Sequence, residues 1–573
     1  MERPWVTHYD PGVPSEIEDP GLTLPGMFQR TAELYPRRVA TIFHHAKVTY
    51  GDMWRQIERF ATGLRELGVQ PGDRVAVMLP NLPQYLVAFF GALRAGAVVV
   101  PTNPLYTQHE LEYQLADAGA TVIVTLDQLF WRVQAALPST EIRAVILTDV
   151  GAALPTHLRP LFAVKQRREG VRMVPSGGIV HRFAEVLKVA GVPTPVSARP
   201  DDLAVLQYTG GTTGFSKGAM LTHRNLVINA QQVVNWQGTR QGDEVRILCA
   251  VPFFHVYGLT VAMNNGILAG ATLILMPRFI PKEVAATAQK YRPHFFPGVP
   301  TMYVALTHLP GFSNRQFGSL QACISGAAAL PPDVQRAFQE VSGARLVEGY
   351  GLTEASPVTH CNPVMGGGQI GTIGVPFPST EAKITDPDTW EDLPSGEVGE
   401  LTVRGPQVMR GYWNRPEETA DILRDGWLHT GDLATVDTDG FFRIVDRKKD
   451  MIIAGGFNVY PREVEDVLYS HPAIKEAAVF GVPHEYRGET VIAAVVPKEG
   501  RQATAEEIIS FCRRHLAVYK APTIVMIRQE LPKSLVGKVL RRTLREEWEG
   551  DQEQTRYGKE RQDERERETS SHR

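Results

Sequence analysis

One ten-residue stretch, Thr209-Gly-Gly-Thr-Thr-Gly-Phe-Ser-Lys-Gly218, concentrates residues suited to binding phosphate. Before it, the apolar run 203–208 is typical of a buried strand, and after it Thr222 can cap a helix. Glycines let the backbone approach a ligand closely, N–H groups can converge on phosphate oxygens, and Lys217 adds a positive charge. Alone, the stretch fits either a phosphate-binding loop or an ordinary turn. It is not a Walker A loop, because Ser216 stands where that pattern has glycine.

Length and composition describe a globular protein of more than one domain. The chain has 573 residues, whereas single cores rarely exceed about 250–300 residues. A net charge of -3 gives no reason to expect a nucleic-acid partner. Four cysteines without a CxxC pair argue against a disulfide framework or a zinc site, and the N-terminus lacks the apolar core of a signal peptide. We therefore expect a cytoplasmic protein.

The uncharged stretch 251–276 is long enough to span a membrane. It contains Pro252, His255 and two asparagines, so a buried strand–helix–strand is the better interpretation. A peripheral contact at the inner face of the cell membrane stays open, as does a homodimer.

Strand-like and helix-like segments alternate from Asp73 to Thr125, as in a βαβαβ unit with a parallel sheet. Residues 150–200 are irregular and are interpreted as a connecting excursion, while 284–300 repeats the helix-then-strand pattern. Residues 380–445 show short strands and glycine turns, typical of a small β-rich subdomain. After a charged break, Asp446-Arg-Lys-Lys-Asp450, a compact α+β domain follows, and the polar tail 546–573 is expected to be disordered or a frayed helix.

Six blocks along the chain resemble, in order, the motifs of the adenylate-forming superfamily of acyl-CoA synthetases, peptide-synthetase adenylation domains and luciferases. They cover the chain from about residue 30 to 545 and read YTGGTTGFSKGAM, SGAAAL, EGYGLTE, GWLHTGDLA, DRKKDMIIAGGFNVYPREVE and LPKSLVGKVLRR. The chain is most similar to bacterial long-chain fatty acid–CoA ligases.

The resemblance implies an α/β fold. A large N-terminal domain of layered parallel and mixed sheets with helices would include the β-rich subdomain and span residues 1–446. A hinge at 447–449 would lead to a small mobile α+β domain at 450–545.

The resemblance also implies a reaction. A fatty acid attacks ATP to give acyl-AMP and pyrophosphate, and CoA then displaces AMP. An anion must approach a polyanion, so charge has to be neutralised, for which magnesium is suited. Thr209 and Glu354 would flank that ion. The phosphates would be lined by Lys217 and by Gly210, Gly211, Thr212, Thr213 and Gly214.

The nucleoside would be held by the later blocks. In the EGYGLTE block, Tyr350 would lie on the adenine face, and Gly349 and Gly351 would let the backbone come close. Glu348 and Thr353 would also bind the nucleotide, and Gly326 and Ala327 would leave room along the base edge. Asp432 and Arg447 would contact the ribose. His255 and Tyr257, with Gly326, would line the acyl site.

Lys538 resembles the family's adenylation lysine, which bridges the attacking carboxylate and the α-phosphate. Lys533 is its rival, and we favour Lys538 because Gly537 precedes it. Rotation about Lys449 would exchange this lysine for Gly455 and Gly456, which would line the pantetheine channel. Two positions depart from the family pattern, since Ser216 and Ala329 each stand where proline is frequent.

Other functions stay open. The acid could be an aryl acid, as in coumarate-like CoA ligases, or the product could be loaded onto a separate carrier protein. A catalytically silent nucleotide-binding protein is a different class, but it predicts loss of Lys538 or Glu354, and both are present. A P-loop NTPase lacks support because its Gly-Lys-Ser/Thr is missing.

Overall fold

The computed structural model describes residues 3–168, 174–189, 198–209, 216–240, 242–454, 457–484, 488–534 and 537–550. Two compact units are distinguished within them. The first contains the described residues up to Lys383, together with Thr402–Thr430 and Val436–Arg443. The second contains Ile384–Leu401, Gly431–Thr435 and the described residues from Ile444 onward.

A seven-stranded sheet forms one layer of the first unit. All neighbours are parallel except the last pair, in which Leu203–Tyr208 runs antiparallel to Gly218–Thr222. The predicted βαβαβ unit is confirmed, and the irregular stretch 150–200 supplies an edge strand that the sequence did not indicate. In spatial order the strands are Val180–Arg182, Ala144–Thr148, Ala120–Leu126, Arg74–Met78, Val98–Pro101, Leu203–Tyr208 and Gly218–Thr222.

Two four-stranded sheets also lie in this unit. Phe295 bridges both Ile247 and Ala322 in parallel, but no strand forms around it, so the strand predicted before Pro300 was wrong. One sheet has the order Arg246–Cys249, Thr272–Leu275, Val39–Phe43 and Ala46–Thr49. The other has the order Ala322–Ser325, Arg345–Gly351, Val358–Cys361 and Val375–Pro376.

Many of the helices begin at a capping side chain or a proline. As predicted, Thr222 caps a helix: its side chain accepts from the N–H of Asn225. The structure adds that Asn225 bonds back to Thr222, which completes a capping box. Among the described residues of the first unit, the α-helices are Leu24–Leu34, Tyr50–Glu66, Pro83–Arg94, Gln108–Ala118, Phe130–Ala136, Arg159–Arg168, Phe183–Val186, His223–Trp236, Asn265–Leu268, Pro281–Tyr291, Pro300–Thr307, Asn314–Phe317, Pro332–Ser342 and Pro416–Ile422.

The predicted β-rich segment contains five strands, Glu381–Thr385, Gly399–Arg404, Leu423–Arg424, Trp427–Val436 and Phe442–Arg447. In the second unit, Ile474–His484 and Gly488–Pro497 form a long antiparallel pair. The same unit also contains the strands Ile452–Ala454, Phe457–Val459 and Ile524–Ile527 and the helices Pro461–Tyr469 and Ala505–His515.

The uncharged stretch 251–276 is folded into the first unit rather than forming a long helix. Gly258–Asn264 is a π-helix, which is a rare, wider winding often found at functional sites. Asn265–Leu268 continues it before the strand Thr272–Leu275. In the part of the chain that the structure describes, no helix has the length and apolar character needed to cross a membrane.

All four cysteines are buried and unpaired. Burial raises the pKa of the Cys249, Cys323 and Cys361 thiols well above the usual range, and that of Cys512 to about 11. These side chains are packing groups held as neutral thiols.

Candidate active site

The ends of the predicted phosphate loop are held together by backbone hydrogen bonding. Tyr208 pairs with Gly218 in the antiparallel ladder, and the N–H of Thr209 donates to the carbonyl of Lys217 at 2.9 Å. Thr209 and Lys217 therefore leave and re-enter the sheet side by side. The predicted phosphate-binding residues between them, Gly210, Gly211, Thr212, Thr213 and Gly214, lie outside the described residues.

A carboxylate network anchors the base of this loop. Asp117 accepts from the Tyr208 hydroxyl at 2.7 Å and from the Arg415 guanidinium at 2.8 Å. The Tyr113 hydroxyl donates to the carbonyl of Ser216 at 3.0 Å. These contacts fix the backbone immediately before and after the loop.

The strand that follows the loop, Gly218–Thr222, also pairs with the segment 409–413. The N–H of Met220 donates to Gly411 at 2.8 Å, the N–H of Arg410 donates back to Met220 at 3.0 Å, and Trp413 donates to Gly218 at 2.8 Å. This pairing brings Tyr412 beside the loop, and Lys217 lies 5.1 Å from the centre of its ring.

Glu354 lies in a short helical turn, Thr353–Ala355, that follows the strand Arg345–Gly351. The Tyr412 hydroxyl donates to its carboxylate at 2.5 Å, and the N–H of Met409 donates to its carbonyl at 2.7 Å. Burial and the Glu354 carboxylate raise the pKa of Tyr412, so its hydroxyl stays protonated and acts as the donor. The structure thus orients the predicted metal-binding carboxylate through a residue that sequence reasoning missed.

Both glycines of the EGYGLTE block lie where neighbouring atoms leave no room for a side chain, a reason for glycine that the sequence did not indicate. A Cβ on Gly351 would lie 2.1 Å from the carbonyl oxygen of Pro357, and one on Gly349 would lie 3.0 Å from Ile324.

Tyr350 is half-buried and meets the His360 ring edge-on at 5.9 Å. Glu348 is buried and Thr353 half-buried in the same segment. Their contacts with adenine stay predictions.

The predicted acyl-site residues form a packed wall. Tyr257 is buried, its hydroxyl donates to the carbonyl of Ile324 at 2.7 Å, and its ring lies 3.2 Å from where a Cβ on Gly326 would be. His255 accepts from the N–H of Tyr257 at 3.2 Å. Ala327, next to Gly326, adopts a left-handed φ of 69°, which turns the chain away from the strand.

Asn81 positions the start of that wall. Its buried amide donates to the carbonyls of Cys249 and Val251 at 3.0 and 2.8 Å and accepts from the N–H of Phe253 at 2.8 Å. Three hydrogen bonds from one side chain hold the turn that precedes His255, and nothing in the local sequence around Asn81 indicates this contact.

The second unit brings together three predicted site residues. Arg447 lies 3.2 Å from the Asp432 carboxylate, and Lys538 lies in the electrostatic field of both. Burial and the nearby Arg447 guanidinium lower the pKa of Lys538 to about 8, although the carboxylates of Asp432 and Asp450 act in the opposite direction. A partly buried lysine with a lowered pKa is typical of functional sites.

The rival lysine has a different environment. Lys533 forms an ion pair with Glu476 at 2.7 Å. It therefore behaves as a surface charge with a fixed partner, and the choice of Lys538 gains support.

Lys449 is exposed in a turn directly after the strand Phe442–Arg447. The N–H groups of Asp450 and Met451 both donate to Arg447 across this turn, at 3.0 and 3.1 Å. The predicted pantetheine residues Gly455 and Gly456 lie outside the described residues.

In the described ranges, no group of three or more His, Cys, Asp or Glu side chains could hold a metal ion. Magnesium sites at nucleotides commonly use one or two carboxylates and complete their shell with phosphates and water. The single oriented Glu354 carboxylate and the Thr209 hydroxyl fit that pattern.

Two protein-family models match this chain, and both describe an enzyme that binds AMP. The family model described as AMP-binding enzyme matches residues 28–413, and the AMP-binding enzyme C-terminal domain matches residues 463–538. The chain belongs to the AMP-binding enzyme family. The superfamily resemblance drawn from the six sequence blocks is therefore confirmed.

Relatives match over nearly the whole length of this family member. A long-chain-fatty-acid–CoA ligase of Bacillus subtilis (strain 168) is 47% identical, over 95% of this chain and 98% of its own. A feruloyl-CoA synthase of Amycolatopsis sp is 38% identical, over 90% and 97%. The crystal structure of ATP-bound MatB from Rhodopseudomonas palustris is 32% identical with a TM-score of 0.81, covering 92% of this chain and 99% of that one. The predicted α/β fold, with a larger N-terminal and a smaller C-terminal domain, is confirmed.

Tyr412→Phe tests the orientation of Glu354. Without the phenolic donor the carboxylate loses a hydrogen bond to a charged acceptor, which is worth about 1.5–3 kcal/mol. We expect the magnesium concentration for half-maximal ATP–pyrophosphate exchange to rise roughly five- to tenfold. This is a smaller change than loss of the whole hydrogen-bond energy would give, because a water molecule can replace the phenolic donor. An unchanged magnesium requirement would contradict this role. Tyr113→Phe, which removes a hydroxyl from the loop base rather than from Glu354, is the matched control.

Proposed function

We propose that this protein is an AMP-forming acid–thiol ligase that activates a medium- or long-chain fatty acid. ATP and the acid would give acyl-AMP and pyrophosphate, and CoA would then give acyl-CoA and AMP. The observation that carries the proposal is the near full-length similarity to the long-chain-fatty-acid–CoA ligase of Bacillus subtilis.

The polar and charged groups of the first unit suit the formation of acyl-AMP. Thr209 and Lys217, held side by side, would contact the phosphates, and the oriented Glu354 carboxylate would hold magnesium with the Thr209 hydroxyl. A bound magnesium ion would neutralise phosphate charge as the carboxylate of the acid approaches. The Tyr412 hydroxyl would keep Glu354 in the orientation that this requires.

The second unit would supply the remaining groups. Asp432 would accept from the ribose hydroxyls, with Arg447 as a further ribose contact. Lys538 would donate to the acid and the α-phosphate. The exposed turn at Lys449 would act as the hinge between the domains 1–446 and 450–545, because a few residues at a domain join commonly absorb such rotations.

A second candidate substrate is an aryl acid. The similarity to the feruloyl-CoA synthase of Amycolatopsis sp favours it, although at lower identity. Loading of a separate carrier protein differs only in the acceptor thiol. A peripheral membrane contact and a homodimer stay predictions.

The experiment that tests the function is AMP release with ATP, magnesium and CoA, across alkyl acids of increasing length and a few aryl acids. We expect maximal kcat/KM among the medium or long alkyl acids. A maximum among aryl acids would keep the reaction and refute the substrate. No AMP with any acid would instead favour a catalytically silent nucleotide-binding protein.

Lys538→Ala separates the two half-reactions. We expect adenylate formation to fall by about 10²–10³, because one preorganised donor to the developing charge is lost. Supplied acyl-AMP should still react with CoA at a near-normal rate. Lys533→Ala removes the same charge from a paired surface lysine and should leave both half-reactions almost unchanged. Equal loss of both half-reactions in Lys538→Ala would refute the assigned role.

The lowered pKa of Lys538, about 8, predicts a pH limit on adenylate formation. The ammonium form neutralises phosphate and the neutral amine does not, so kcat/KM for ATP should fall as pH rises through about 8. The reaction of supplied acyl-AMP with CoA should not show this fall, since a higher pH increases the thiolate of CoA. A flat profile for adenylate formation up to pH 10 would show that deprotonation of Lys538 does not control the step.

A further inference from the structure

The loop lysine has a carboxylate partner that neither the motif nor its predicted role accounts for. Lys217 forms an ion pair with Glu418 on the helix Pro416–Ile422. In this arrangement the ammonium expected to contact phosphate is already neutralised by a protein anion.

Glu418 has a second cation that would remain if Lys217 left. The Arg415 guanidinium lies 3.6 Å from its other carboxylate oxygen and is itself hydrogen-bonded to Asp117 at 2.8 Å. Loss of the Lys217 contact would therefore leave Glu418 beside a positive charge. The remaining attraction between Arg415 and Glu418 lowers the energy needed to separate Lys217 from Glu418.

The backbone of Lys217 is fixed, whereas its flexible four-carbon side chain can rotate. Its carbonyl accepts from Thr209 at 2.9 Å, and the Ser216 carbonyl before it accepts from Tyr113 at 3.0 Å. The ammonium lies near the face of the Tyr412 ring, which attracts cations. Rotation of a lysine side chain over that ring could exchange one anion for another without moving the main chain.

We propose that Glu418 is the resting counter-ion of Lys217 and competes with the ATP phosphates for it. The inference rests on the proposed role of Lys217 in binding phosphate. In the nucleotide-free enzyme Glu418 holds the ammonium, and in the ATP complex the phosphates take its place while Arg415 keeps Glu418 neutralised. Glu418 is thus a positioning residue that sets the affinity for ATP and makes no contact with it.

Glu418→Gln tests the competition. The two side chains are 29% and 36% exposed, so water screens the pair and the effect is modest. We expect the Kd for ATP, measured by equilibrium binding with magnesium, to decrease roughly two- to fivefold. The change should fall on KM for ATP rather than on kcat, because the pair exists only before ATP binds. The gain should shrink as ionic strength rises.

Glu417→Gln is the matched control, since it removes the same charge from the neighbouring, exposed position of the same helix. It should leave the affinity for ATP within about 1.5-fold of that of the unmodified protein, as expected for a charge screened by solvent. An equal gain in both variants would overturn the proposal, because it would reflect overall charge rather than the ion pair.

Lys217→Met separates failure of this inference from failure of the proposed function. If Lys217 binds phosphate, this variant alone should weaken ATP binding, and Glu418→Gln added to it should give no further gain. Weaker binding in Lys217→Met with no gain in Glu418→Gln would overturn the competition and leave the role of Lys217 intact. Unchanged ATP binding in Lys217→Met would instead refute that role itself.

Discussion

The backbone pairing between the strand Gly218–Thr222 and the segment 409–413 is the constraint on which the candidate site of the first unit depends. Through it, Tyr412 lies against the exit of the loop, and its hydroxyl reaches Glu354. Main-chain hydrogen bonds form the pairing, so it tolerates changes in most side chains around it.

In the second unit, the balance between burial and charge decides the state of Lys538. Cations and anions surround it in similar number, with Arg447 and Lys449 opposed by Asp432 and Asp450. Burial is the largest influence and favours the neutral amine. A neighbouring cation, Arg541, is held rigidly by Glu465 at 2.8 Å and by Asp450 at 3.1 Å. The guanidinium of Arg541 is therefore fixed by its acidic partners, whereas the charge of Lys538 changes with pH.

Much of the fold and the outline of the site could be predicted from the sequence. Short-range patterns suffice for the strand Leu203–Tyr208, for the cap at Thr222 and for the helix Gln108–Ala118, because local periodicity and capping determine them. Ordered motifs also suffice to identify Glu354 and Lys538 as residues of interest.

The supporting contacts could not be predicted in this way. Asn81 meets Val251 across 170 positions and Asp117 meets Arg415 across 298, and no local pattern reports such distant partners. Tyr412 and Glu418 likewise follow from tertiary packing alone. The π-helix Gly258–Asn264 was missed because apolar periodicity does not distinguish its winding from an ordinary buried helix.

The burial of the four cysteines has a consequence for chemical selectivity. An acyl-adenylate is an electrophile that any accessible thiolate could intercept, and a thiol is a far weaker nucleophile than its thiolate. Cys249, Cys323, Cys361 and Cys512 are enclosed and their thiols remain protonated. The cysteines thus present no accessible thiolate to a reactive intermediate. Self-acylation at cysteine is thereby disfavoured, and the acyl group remains available to an external acceptor.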